Sequence, residues 1–147
     1  MNFDKYTIKA QEAVQEAVNT AQRAGQQSIE PAHLLKALLT KASDVTHYIF
    51  QKLGVNSAQI STLADSEVQH LPRVQGGQPY LSNDTNSVLL KAEDISKEMG
   101  DEFVSIESLL LALLAVRSAA SSILKDAGCT EKEMRAAIGE LCQGPHV

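Results

Sequence analysis

Tryptophan is absent from this chain of 147 residues, and phenylalanine and tyrosine together make up only 4% of it. Hydrophobic residues nevertheless reach 44%, so the core must be built from Ala, Leu, Ile and Val, the small and aliphatic side chains that pack between helices. Cysteine is scarce too. Cys129 and Cys142 are the only two, with no CxxC and no histidine at ligand spacing, which excludes a disulfide framework and predicts reduced thiols in a cytoplasmic protein. No apolar run approaches the roughly 20 residues of a membrane helix. The opening MNFDKYTIKAQ is charged and amphipathic from its start, without a secretory core. No lysine- or arginine-rich run occurs, and a net charge of −5 with a pI near 5.3 argues against a nucleic-acid partner.

Catalytic signatures are missing as well. No GxxxxGK[ST] phosphate loop is present, and Gly76-Gly77 lacks the lysine and helix start needed to cradle a phosphate. No serine sits on a GxSxG elbow. The histidines, His33, His47, His70 and His146, form no HxxxH pair, and His33 reads as a packing residue rather than a metal ligand. A non-enzyme is expected, with no metal and no cofactor in this chain.

What the sequence does contain is repetition. Residues 28–39 read SIEPAHLLKALL and residues 103–114 read FVSIESLLLALL, so Leu34, Leu35, Leu38 and Leu39 recur 75 positions later as Leu109, Leu110, Leu113 and Leu114. Apolar or small residues at 6, 10, 13, 14, 17, 21 and 24 predict a first helix closed by Gly25. Pro31 opens a second, Val45–Leu53 mark a third ended by Gly54, and Asn56 caps a fourth with Leu71 near its end. Pro72 to Pro79 is a connector. The order then returns. Ser82 caps a helix with its face on Val88, Leu89, Ala92, Ile95, Ser96 and Met99, Gly100 stops it, and Ser105 caps the Leu-rich helix. After a one-residue deletion the offset is 74: Gly54 matches Gly128 and Asn56 matches Thr130, whose Thr130-x-x-Glu133 is a capping box.

The fold class expected is therefore all-α, two tandem pseudo-twofold four-helix repeats packed as one eight-helix bundle. Repeat 1 spans about 4–71, the linker 72–81 and repeat 2 about 82–143. Residues 109–114, Leu-Leu-Leu-Ala-Leu-Leu, are apolar almost all round and must be covered on most sides. A seam between the copies, lined by Leu89, Val104, Ile106 and Leu109 with acids at its edge, would hold an apolar peptide loosely. For Leu89 and Leu109 a plain core role is the competing reading.

The opening MNFDKYTIKAQEAV, the pieces IEPAHLLKALL and GDEFVSIESLLLALL and the ILKDAG turn, in this order and at this repeat spacing, resemble the N-terminal Clp repeat domain of the AAA+ Clp ATPases. Within that class Thr7-x-Lys9-Ala10-Gln11-Glu12-Ala13 and Asp101–Ser105 look most like the ClpB disaggregase branch. The resemblance covers residues 2–144. It implies a non-catalytic module of a longer homohexameric ATPase, with 144–147 starting the linker to an ATPase domain and with ATP and Mg bound only in those missing domains. The implied partners are those domains and the apolar segments of unfolded or aggregated clients, with Thr7, Asp101 and Glu107 at the rim of the client groove. Two alternatives stay open. Thr7 could be an ordinary helix cap, with Asp101 and Glu107 serving the nearby helix start, and the module could instead dock an adaptor, as in the ClpC and ClpA branches.

Overall fold

A computed structural model describes residues 3–143, and among them there are eight helices and two very short strands. The expected linker start at 144–147 falls outside the described residues, as does the side chain of Cys142. Repeat 1 holds α1 (Ile8–Arg23), α2 (Pro31–Lys41), α3 (Ser43–Leu53) and α4 (Ser57–Gln69); repeat 2 holds α5 (Asn83–Glu98), α6 (Ile106–Ala115), α7 (Ala119–Asp126) and α8 (Glu131–Gln143). The strands are β1 (Ser28–Ile29) and β2 (Tyr80–Leu81).

The helix starts follow from side chains that satisfy amide donors left open in the first turn. The hydroxyls of Thr7 and Ser82 accept from the N–H of Ala10 and Thr85, both at 3.1 Å, and those of Ser105 and Thr130 accept from Ser108 and Glu133, both at 3.2 Å. Asn56 does the same for Gln59. At the far end of α1 and of α5, Gly25 and Gly100 adopt left-handed φ of 69° and 74°, a conformation open to glycine without strain. The one-residue deletion lies in the Leu-rich pair, for α2 has 11 residues and α6 has 10.

The two copies are stitched together by backbone pairing across the pseudo-twofold. The segment that enters α1 pairs with the loop that enters α6, through a parallel bridge between Tyr6 and Val104. The segment that enters α5 pairs with the loop that enters α2, through the parallel register Ile29 with Leu81. These are the same interaction twice: Leu81 and Val104 stand 75 positions after Tyr6 and Ile29. The matching hydrogen bonds run from Thr7 N–H to the Val104 carbonyl at 2.9 Å and from Ser82 N–H to the Ile29 carbonyl at 3.1 Å. Each repeat thus completes the other.

One apolar cluster runs through both copies, from Tyr6 to Ile138. Its centre is α6, whose residues Ile106 and Ser108 through Leu114 are all buried. In α2 the face opposite the core is wetter. Lys36 there is half-exposed and pairs with Asp65 of α4 at 3.2 Å, whereas its counterpart in α6 is the fully buried Leu111. α4 ends at Gln69, two residues before the expected Leu71.

Candidate functional site

The junction where Tyr6 meets Val104 brings together the starts of two helices, α1 and α6. A cleft of about 360 Å³ opens beside it, walled by Lys5 of repeat 1 and by Glu93, Lys97, Asp101 and Phe103 of repeat 2. Thr7 reaches this junction through its backbone and spends its hydroxyl on the α1 cap. Asp101 is exposed on the cleft wall. Glu107, half-buried in the first turn of α6, lies close enough to Asp101 to feel its charge. The three polar candidates therefore sit around one junction.

Of the four apolar candidates only Val104 borders the cleft; Leu89, Ile106 and Leu109 do not. Leu89, Val104, Ile106 and Leu109 are 6, 2, 3 and 0% exposed. Their side chains belong to the core cluster, because α5 and α6 and the loop between them turn these residues inward. This corrects the lining expected from the sequence for Leu89, Ile106 and Leu109. The exposed apolar residues of this region are others: Ile8, 75% exposed and next to Thr7; Leu90, 63% exposed and one turn before Glu93 on α5; and Phe103, 43% exposed in the cleft wall. A signal for them existed in the repeat. Their counterparts in the other copy are Asn83, Gln15 and Ser28, all polar, so each is an apolar residue that the fold itself does not require.

The polar set is equally one-sided. The counterparts of Thr7, Asp101 and Glu107 are Ser82, Gln26 and Ala32, so the caps are shared while the two carboxylates occur only at the Tyr6–Val104 junction.

Burial raises the Glu107 carboxyl above the ordinary carboxylate range, with Asp101 and Asp44 adding to the shift; a hydrogen bond from Ser105 and its own backbone N–H oppose it. The Tyr6 phenol is pushed up to about 12 by burial and by Glu93. A group whose folded pKa is raised binds its proton more tightly when folded, so ionising Glu107 costs stability as pH climbs above its unfolded value. Glu107→Gln is expected to raise the unfolding temperature at pH 7.5 and to give no gain near pH 4, where both states are protonated. Thermal melts at the two pH values check this, and equal gains at both would rule out a desolvated carboxylate.

Among the described residues no group of three or more His, Cys, Asp or Glu could hold a metal ion, and no single helix is long and apolar enough to cross a membrane.

Comparison with known proteins now bears on this geometry. Residues 5–127 match the family described as the Clp repeat (R) N-terminal domain. The chain belongs to that family. It is 58% identical over 147 residues to the chaperone protein ClpB of Bacteroides thetaiotaomicron and 49% identical to that of Porphyromonas gingivalis, in both cases over 100% of this chain and 17% of the relative. It therefore spans about a sixth of the length of these curated relatives. The Clp repeat fold recurs in the Hsp104 N-terminal domain from Candida albicans, with a TM-score of 0.80 at 20% identity, over 95% of this chain and 93% of that one. The N-terminal domain of the ClpV1 ATPase from E. coli superposes with the same TM-score at 19% identity, over 95% and 86%. In this Clp repeat domain the twin-repeat reading of the sequence and the all-α architecture agree.

Proposed function

We propose that this chain is the client-binding N-terminal domain of a ClpB-type disaggregase. It takes up exposed apolar segments of misfolded or aggregated proteins in the cytoplasm and passes them to the ATPase domains of a longer, homohexameric parent. ATP and Mg act in those domains, and this chain contributes binding alone. The observation that carries the reading is the cleft at the Tyr6–Val104 junction, with Phe103 exposed in its wall and Ile8 and Leu90 exposed on the adjoining helices α1 and α5, although the counterparts of all three in the other repeat are polar. The two relatives at 58 and 49% identity bear the ClpB name, which supports the disaggregase branch over the adaptor-docking one.

Phe103 supplies the apolar contact, and Asp101 and the half-buried Glu107 accept hydrogen bonds from a client backbone or pair with a basic residue beside its apolar run. A contact this small binds weakly and releases fast, which suits a module that hands its client onward. Titrating the 15N-labelled chain with casein, an unfolded probe, is expected to shift amides of Lys5–Ile8, Leu90–Lys97 and Asp101–Glu107. Phe103→Ala should weaken binding about tenfold, equivalent to about 1.4 kcal/mol. Shifts confined to the opposite face, or an unchanged affinity in Phe103→Ala, would remove the cleft from client recognition.

A further inference from the structure

The duplication that builds the junction cleft builds a second one. It lies between the loop after α1 and the inter-repeat connector, with a volume of about 700 Å³. Its wall residues Gln22, Gln26 and Gln27 stand 75 positions before Lys97, Asp101 and Glu102 of the junction cleft, so the two hollows are counterparts across the pseudo-twofold. Their charge is opposite. The junction cleft carries Glu93, Asp101 and Glu102 against Lys5 and Lys97, whereas the only ionisable residues lining the second cleft are Arg23 and Arg73. An adjoining hollow shares both arginines and adds Lys36; its one acid, Asp65, is already paired with that lysine at 3.2 Å.

This cationic pair is a local exception in a chain of net charge −5. Arg23 is held by Glu16 at 2.9 Å, while Arg73 makes no ion pair or hydrogen bond among the described residues. The walls are fixed. The connector docks through hydrogen bonds from Val74 N–H to the Gly25 carbonyl at 2.9 Å and from Tyr80 N–H to the Gln27 carbonyl at 3.0 Å. Gly77 lies so close on the Gln27 side chain that a Cβ there would collide with its amide. The Gln26 amide, buried, ties the same loop to the Val68 carbonyl at the end of α4.

Gln22, Gln27 and Gln75 line this cleft, and their side-chain amides have no hydrogen-bond partner among the described residues. An amide offers both a donor and an acceptor, which matches the N–H and C=O of an extended main chain. A guanidinium takes a carboxylate through two parallel hydrogen bonds. Inorganic phosphate would engage the arginines and the amide N–H groups but leave the amide oxygens unused, and a nucleic acid needs a longer basic track than two residues supply. We infer that the cleft between the α1–β1 loop and the connector docks a short acidic, extended peptide segment, with Arg73 as its anchoring cation. The site stands at the opposite end of α1 from Thr7, about 24 Å away at 1.5 Å per residue, and does not depend on the junction cleft being a client site.

The probe is a fluorescein-labelled peptide alternating glutamate and valine, with a glutamine-for-glutamate version as control, added to the 147-residue chain at low salt. Amide shifts are expected on Gln22–Gln27 and Arg73–Gly77. Arg73→Glu should weaken the acidic peptide at least tenfold, the neutral control should bind at least tenfold more weakly than the acidic one, and Phe103→Ala should change neither. Circular dichroism on Arg73→Glu confirms that this exposed substitution leaves the fold intact. Shifts confined to Asp101–Phe103, an unchanged affinity in Arg73→Glu, or tighter binding of inorganic phosphate or a short RNA at the same residues would overturn the assignment. So would self-association of the chain that Arg73→Glu abolishes and the acidic peptide does not compete.

Discussion

Replacing Leu109 by alanine is expected to lower the free energy of unfolding by about 3–5 kcal/mol. Leu109 is fully buried on α6, the helix at the centre of the cluster that spans both repeats. Cutting it back removes several methylene and methyl groups from the apolar interior and leaves a cavity. The surroundings cannot close over that cavity, because α6 is already covered by α1, α2, α5, α7 and α8. In a domain of this size the unfolding temperature should fall by roughly 10 °C or more, and urea unfolding followed by circular dichroism gives the energy directly. The same variant separates two roles for this leucine. If it served the client groove, stability would hold and casein binding would fall; the core role predicts a large stability loss with unchanged affinity in the fraction that remains folded.

Leu109 also marks where sequence reasoning reaches its limit. The duplication was legible because Leu34, Leu35, Leu38 and Leu39 and their counterparts keep a fixed offset, and the caps at Asn56, Ser82, Ser105 and Thr130 were legible because capping is local chemistry within three residues. Hydrophobicity alone cannot tell a groove from a core, so Leu89, Ile106 and Leu109 were expected on a surface they do not reach. The better signal was the difference between copies. The leucines at 34, 35, 38 and 39 keep their character in the second copy, while Ile8, Leu90 and Phe103 are exposed apolar residues whose counterparts are polar. Two-residue strands have no periodicity to detect, and the stitching through Tyr6–Val104 and Ile29–Leu81 needed coordinates. The docking of the connector was likewise not legible, because prolines and glycines mark a turn without saying what the backbone bonds to. The early end of α4 has the same origin, since the Gln26 amide takes the Val68 carbonyl and also that of Leu71.

His33→Ala is expected to cost about 2–3 kcal/mol at neutral pH, and the loss should shrink on acidification. His33 is fully buried in the first turn of α2. Its Nδ1 accepts from the Glu30 N–H at 2.9 Å, which places the ring proton on Nε2, and that nitrogen donates to Gln26 Oε1 at 2.6 Å. The Gln26 amide in turn holds the end of α4. Alanine would leave a buried amide oxygen and a backbone donor unpaired, each a cost of about 1–3 kcal/mol when no water replaces the partner. The corresponding residue in repeat 2, Ser108, keeps only the first bond, accepting from the Ser105 N–H at 2.9 Å, so His33→Ser should recover part of the loss. The pH dependence follows from the imidazole itself. Burial holds its pKa below the ordinary value, with Lys36 acting in the same sense and Glu30 opposing. Stability from the neutral ring is complete above the unfolded value of about 6.5 and is lost as pH falls below it, because only the unfolded chain then gains the proton. Urea unfolding of the wild-type chain and of His33→Ala at pH 7.5 and pH 5.5 should therefore show a gap that narrows at the lower pH; a gap of equal size at both would mean that the ring is protonated as readily inside the fold as outside it.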